Sequence, residues 1–172
     1  MKFERLELLV GNENLNLIQD KTVMIVGLGG VGGYATESIV RCGIKKIVIV
    51  DFDTIDESNI NRQIIATIDS VDKYKVDAWE ERIKKINPGC EVIKVKEYID
   101  ENNIDHLFDY NLDYIVDACD SLKTKMDLIR KSIKYNVKLI SSMGTGNKLD
   151  PSKLKIMDIR KTSYDPLAKH IR

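Results

Sequence analysis

The 172-residue chain is 43% hydrophobic and 31% charged, which bounds it as one globular domain with a sizeable core and excludes a disordered or fibrous chain. Its 27 basic residues equal its 27 acidic ones, so no overall charge selects a polyanionic partner. Cys42, Cys90 and Cys119 form no Cys-x-x-Cys pair and only His106 and His170 accompany them, which argues against a disulfide framework or a zinc cluster.

Residues 3–20 read as helical, with Leu6, Leu9 and Val10 on one side, a break at Gly11-Asn12, and Leu15 and Ile18 beyond it. Arg5 lies among these apolar positions, and pattern alone makes it a surface charge. Val23-Met24-Ile25-Val26 reads as a buried strand and runs into the turn Gly27-Leu28-Gly29-Gly30-Val31-Gly32-Gly33. A helix follows with Val31, Ala35, Ile39 and Cys42 at helical spacing and Gly43 as its C-terminal glycine. A second strand, Ile47 to Val50, ends on Asp51-Phe52-Asp53. Strand, glycine turn, crossover helix and parallel strand form a unit that binds nucleotides at the carboxyl ends of its strands. Glycines let the backbone approach a phosphate, the helix start offers N–H groups to the anion, and Asp51 is positioned for ribose hydroxyls. A tight turn without a ligand would not explain the acid that ends the next strand.

The polar stretch Thr54 to Gln63 is too long for a simple turn and predicts a functional loop. Residues 73–86 read as a helix with the stripe Val76, Trp79, Ile83 and Ile86. Lys75 sits near its start, where a cation opposes the helix dipole, so the position asks for another reason such as a phosphate. Residues 91–96 read as a strand with Val92 and either Ile93 or Val95 inward, and 114–117 as a buried strand ending on Asp117. Asp117 and Asp120 flank Cys119 at the sheet mouth. Residues 122–135 predict a helix with Leu122, Met126, Ile129 and Ile133 inward, and 138–142 a last strand leading into Met143-Gly144-Thr145-Gly146. The fold class is α/β: a Rossmann-like, open, mainly parallel sheet with helices on both faces, in one domain over residues 1–172. From Pro151 to Arg172 six basic residues face two acids, a balance of +4 that leaves −4 on residues 1–150. A basic tail can serve nucleic acid or be a solvated surface. Unpaired thiols, no membrane-length apolar run and no leader pattern point to the cytoplasm.

Gly27-x-Gly29-Gly30-x-Gly32, Asp51-x-Asp53, Ser58-Asn59-Ile60-Asn61-Arg62-Gln63, Lys75 and Asp117 together resemble the ubiquitin-activating-enzyme-like superfamily of ThiF, MoeB and HesA proteins. The segments Ser141 to Pro151, Asp158-Ile159-Arg160-Lys161-Thr162 and Asp165-Pro166-Leu167-Ala168 look like its branch of tRNA threonylcarbamoyladenosine dehydratases. The resemblance implies ATP and Mg²⁺ as cofactors and tRNA carrying threonylcarbamoyladenosine as substrate, activated as an acyl adenylate and then cyclised. It implies Gly27, Gly29, Gly30 and Gly32 against the nucleotide, Asp51 on the ribose with Asp53 beside it, and Asn59, Arg62 and Lys75 on the phosphates with Gln63 in support. It further implies Asp117 on Mg²⁺, and Arg5 presented to a neighbouring subunit's ATP in a homodimer. Sulfur-transfer proteins are further implied partners, and relatives run past the position of Arg172, so a C-terminal region is expected to be missing. Three alternatives stand beside this: adenylation of a small sulfur-carrier protein, a non-catalytic half of a heterodimer, and an NAD-dependent dehydrogenase on a similar unit.

Overall fold

The structure, a computed structural model, describes residues 2–146 and 148–172. Asn147, within the segment that carries the dehydratase resemblance, lies outside the described residues. Strands β1 (Thr22–Val26), β2 (Lys46–Val50), β3 (Glu91–Val95), β4 (Tyr114–Asp117) and β5 (Lys138–Ser141) form one parallel sheet in the order β3-β2-β1-β4-β5. The expected open parallel sheet is therefore present. Chain order reverses direction between β1 and β4, the crevice where such sheets bind ligands.

Strand side chains alternate between two cores. Val23, Ile25, Ile47 and Ile49 pack with Val40 of α3 (Gly32–Arg41) and with Val76, Trp79 and Ile83 of α4 (Lys75–Ile86). Met24, Val26, Val48, Val50 and Val95 pack with Ile104, Leu107, Ile115 and Leu128 of α5 (Leu122–Lys134). Full burial of each such side chain stabilises the fold by roughly 2 kcal/mol. In β3, Val92 joins the first core, and Ile93 and Val95 the second.

Two helices turn a different face inward than their apolar spacing predicts. In α3 the buried residues are Gly32, Gly33, Thr36, Glu37 and Val40, with Ile39 half-buried against the first core; Glu37 pairs with Arg82 of α4 (2.6 Å) and, along its own helix, with Arg41 (2.6 Å). In α5 they are Thr124, Lys125, Leu128 and Ser132, while Leu122 is 40% and Ile133 76% exposed. At the N-terminus, α1 (Glu4–Val10) and α2 (Asn12–Gln19) meet at Gly11, as expected. Leu15 is buried, but no residue of α1 is, and Leu8, Leu9 and Leu17 are exposed. Gly43 has φ +88° and closes α3, where a Cβ would stand 2.8 Å from Gln19. The C-terminal helix α6 (Pro166–Ile171) is capped by Asp165 and packs on α5 through buried Ala168.

Candidate active site

A cleft of about 870 Å³ opens where the chain leaves all five strands. Its lining includes Val26 and Gly27 at the end of β1, Val50 to Asp53 at the end of β2, Glu97 to Ile99 after β3, Ala118 to Ser121 after β4, and Thr145 and Gly146 after β5. Gly27 has φ +86°, and a Cβ there would lie 2.8 Å from the Ala118 carbonyl oxygen; a Cβ on Gly32 would lie 1.7 Å from the Gly27 carbonyl oxygen. The chain itself demands these two glycines. Gly29 and Gly30 differ: a Cβ would meet nothing nearer than Gln63 Nε2 at 3.7 Å and the Arg62 carbonyl at 3.5 Å. Both line the cleft, so what their missing side chains leave open is its floor, just ahead of α3.

Asp51 closes the turn from the opposite side. Its Oδ2 accepts the Leu28 N–H (2.7 Å) and its Oδ1 the Asp53 N–H (2.9 Å). Burial pushes this carboxyl above the usual carboxylate range, against the pull of those two bonds and of Lys75. Lys75 is buried at the first position of α4, with Nζ 2.7 Å from Asp53 Oδ2 and 3.8 Å from Asp51 Oδ1. Two carboxylates thus supply the reason that a cation at a helix start requires. In the following loop, Asn59 Oδ1 accepts the Asp56 N–H (3.2 Å) and Asp56 Oδ1 the Ser58 N–H (2.8 Å), which fixes the loop. Arg62, exposed at the cleft, donates from Nη1 to the Ser58 carbonyl (2.9 Å) and Asn61 Oδ1 (3.0 Å). Gln63 is 7% exposed, lines the cleft, and its Oε1 has no hydrogen-bond partner among the described residues. A buried acceptor without a donor at such a place fits a ligand that supplies one.

Two expected residues stand elsewhere. Asp117 is 0% exposed and does not line the cleft. Lys125 Nζ lies 3.1 Å from both of its oxygens, the Ser141 hydroxyl lies 2.5 Å from Oδ2, and the Cys119 N–H donates to Oδ1 (3.2 Å). A carboxylate so engaged does not fit a cation site. As the last residue of β4, paired in register with Val26 and Ser141, Asp117 points beneath the mouth, whereas exposed Asp120 in the crossing loop lines the cleft. Arg5, exposed on α1, is not among the cleft-lining residues of its own chain. The structure therefore gathers Gly27, Gly29, Gly30, Asp51, Asp53, Asn59, Arg62, Gln63 and Lys75, keeps Gly32 just behind the turn, and leaves Arg5 and Asp117 outside.

Sequence reasoning missed Phe52 and Tyr98, both in the cleft lining, whose rings meet edge to face with centroids 5.2 Å apart. Their signal is position: each follows the carboxyl end of a strand, where ligands sit. Cys119 also lines the cleft, 3.1 Å from Asp117 Oδ1, and burial plus that carboxylate push its thiol up to about 12. A thiol held protonated is a poor nucleophile near neutral pH. Among the described residues no group of three or more His, Cys, Asp or Glu side chains converges on a metal position. Mg²⁺ needs no such cage, because one carboxylate with ligand phosphates and waters suffices, and Asp120 fits that role.

The ThiF family profile matches residues 3–157. The chain belongs to the ThiF family. This ThiF-family chain is 44% identical over 171 residues to the tRNA threonylcarbamoyladenosine dehydratase of Bacillus subtilis, covering 99% of this chain and 67% of that protein. It superposes with a TM-score of 0.97, at 35% identity, on the crystal structure of E. coli tRNA N6-threonylcarbamoyladenosine dehydratase, TcdA, in complex with ATP, covering 99% of this chain and 70% of that one. It is also 30% identical over 137 residues to an adenylyltransferase and sulfurtransferase of Vanderwaltozyma polyspora, covering 80% of this chain and 31% of that protein. The chain spans about two thirds of the length of the bacterial dehydratases it matches.

Proposed function

We propose that the cleft binds ATP and activates the carboxylate of threonylcarbamoyladenosine in tRNA. The carboxylate oxygen attacks the α-phosphorus, giving an acyl adenylate and pyrophosphate. The carbamoyl group then closes on the activated carbonyl and expels AMP, leaving the nucleoside one water lighter. A carboxylate is a poor electrophile and AMP a good leaving group, which is why ATP is spent. The observation that carries the reading is the superposition of 99% of this chain on a dehydratase solved with ATP, with a glycine-floored cleft at its strand ends.

The chain's own groups have distinct tasks, mostly positioning and charge compensation. Gly29 and Gly30 leave room for the phosphates at the start of α3. Asp51 holds the turn through Leu28 and presents its remaining lone pairs to the ribose. Arg62 and Lys75 meet phosphate oxygens, Asn59 keeps the loop in shape, and the unpartnered Gln63 Oε1 accepts from the ligand. The cleft lining holds five acids (Asp51, Asp53, Asp56, Glu97, Asp120) against two bases (Arg62, Lys75). A polyanion entering it needs further positive charge. Mg²⁺ on Asp120 would supply part, offsetting phosphate charge. Arg5 from a second copy would supply more, and exposed Leu8, Leu9 and Leu17 support such a homodimer. The basic residues Lys155, Lys161 and Lys169 are exposed and support contact with a phosphate backbone. Sulfur-transfer proteins remain proposed partners from the family resemblance alone. Among the described residues no helix is long and apolar enough to cross a membrane, and free Cys42, Cys90 and Cys119 support a cytoplasmic setting.

A second reading, adenylation of a carrier protein's terminal carboxylate, is favoured by the 30% identity to an adenylyltransferase. The two separate on substrate. The chain, or a longer form extended past Arg172, is incubated with ATP, Mg²⁺ and tRNA bearing threonylcarbamoyladenosine. AMP release with loss of one water from the nucleoside supports the dehydratase reading. An unchanged nucleoside together with adenylation of a Gly-Gly-ended carrier replaces it with the second.

A further inference from the structure

We propose that Lys125 is a positioning residue for the cleft, acting through Asp117 to hold the wall built by residues 118–121 and 142–146. The inference rests on the nucleotide reading of the cleft and goes beyond it. Lys125 is 1% exposed and Asp117 0% exposed, and neither lines the cleft. Their pair joins α5 to the end of β4. The same carboxylate accepts the Ser141 hydroxyl from the end of β5 and the Cys119 N–H from the loop, while the Asp117 carbonyl accepts the Ser142 N–H (2.8 Å). One charged group thus ties together the segment carrying Cys119 and Asp120 and the segment leading to Thr145 and Gly146. The loop is also pressed on the glycine turn, since the Ala118 N–H donates to the Val26 carbonyl (2.8 Å) and a Cβ on Gly27 would strike Ala118. Motion of the wall therefore moves the floor.

The cost borne by α5 argues for such a role. Its apolar spacing favours burying Leu122 and Ile133, yet the helix leaves them exposed and directs Lys125 inward. Its N-terminal turns serve the same region: Ser121 caps the helix, and the Thr124 hydroxyl donates to the Ile99 carbonyl (3.0 Å), with Ile99 and Thr124 both in the cleft lining. Local rules broken in favour of a buried charge are expected where a site must be held in place. A buried pair that served only stability would be replaceable by apolar side chains.

The test compares wild type with Lys125→Met, Asp117→Asn and the double variant, all as the full chain. ATP affinity in Mg²⁺ is read by calorimetry and wall mobility by amide hydrogen exchange. Lys125→Met is expected to weaken ATP binding about tenfold or more, as loss of outer-shell partners does. Exchange should rise in peptides covering 118–121 and 142–146 and stay unchanged in 22–26. The double variant should be no weaker than Asp117→Asn alone, because the pair acts as a unit. Should Lys125→Met fail to fold, the double variant, which leaves no orphan charge, carries the same comparison. Wild-type ATP affinity with wild-type exchange in the wall, or a uniform rise in exchange with a lowered Tm, makes Lys125 structural only and overturns the proposal. If the wild-type chain binds no ATP, the nucleotide reading falls, and the exchange comparison alone decides the clamp.

Discussion

Lys75 Nζ stands 2.7 Å from Asp53 Oδ2 and 3.8 Å from Asp51 Oδ1, so the first residue of α4 is locked to the end of β2. The lysine and Asp51 are buried, and Asp53 is half-exposed. Removing the cation leaves a buried carboxylate with less compensation. Lys75→Met should therefore destabilise the fold by about 3 kcal/mol at neutral pH, the lower end for a broken buried pair, and slow AMP formation roughly hundredfold or more. Chemical denaturation and an AMP assay measure the two. A folded Lys75→Met protein with wild-type AMP formation would make Lys75 structural only.

The pH dependence of that loss follows from Asp51. Burial raises its folded pKa above the ordinary 3.8 of an aspartate, so between those two values the native state binds the extra proton. Stability from this group is thus present at low pH and lost as pH rises through the folded pKa. Lys75 lowers that pKa, so Lys75→Met extends the window upward. The difference in denaturation midpoint between wild type and Lys75→Met should be larger at pH 7 than at pH 4. Equal differences at both would mean that Asp51 does not sense the lysine.

The glycines divide by the reason for each. Gly32→Ala places a Cβ 1.7 Å from a backbone oxygen and should lower Tm by many degrees. Gly29→Ala brings its Cβ no nearer than 3.7 Å to any described residue beyond its chain neighbours, so it should fold like wild type yet lose ATP affinity by an order of magnitude or more. Thermal unfolding and ATP titration of the two variants separate them. Wild-type ATP affinity in Gly29→Ala would remove the cleft floor from the nucleotide site.

Much of the site was legible because local chemistry specified it. The strand, glycine turn, helix and strand ending on Asp51 are adjacent in sequence, and the turn needs glycine for steric reasons that composition reveals. What sequence did not reveal depended on partners far along the chain. Apolar spacing places Ile133 of α5 inward, but the helix buries Lys125 on Asp117 and leaves Ile133 exposed. Likewise α3 buries Glu37, whose partner Arg82 lies 45 residues away on α4. Asp117 and Asp120 stand three residues apart beside one strand end, and only the register of β4 against β1 and β5 decides which faces the cleft. Lys75 looked like a cation awaiting a phosphate, whereas its resting partners are two carboxylates.

Cys119 offers a separate check. Its thiol, pushed up to about 12, should resist iodoacetamide below about pH 10, and Cys119→Ala should retain activity within a few-fold. Mass spectrometry of the labelled peptide reads the first. Rapid labelling of Cys119 at pH 7.5 together with loss of activity would reinstate it as a nucleophile.

Arg5 tests the homodimer. Arg5→Ala and Lys75→Ala chains are each expected to be inactive. After subunit exchange, a mixed dimer holds one site with both defects and one intact site, so activity should partly return. No recovery after exchange is verified would count against an arginine supplied across the interface.

The central claim is that this cleft transfers AMP to a tRNA-borne carboxylate. The most direct measurement places heavy oxygen in the carboxylate of threonylcarbamoyladenosine in tRNA, adds the protein, ATP and Mg²⁺ in ordinary water, and weighs the AMP formed. Attack by the carboxylate on the α-phosphorus, followed by ring closure, leaves one heavy oxygen in each AMP. AMP formed without heavy oxygen would mean that water, not the carboxylate, attacked the nucleotide, and would contradict the account.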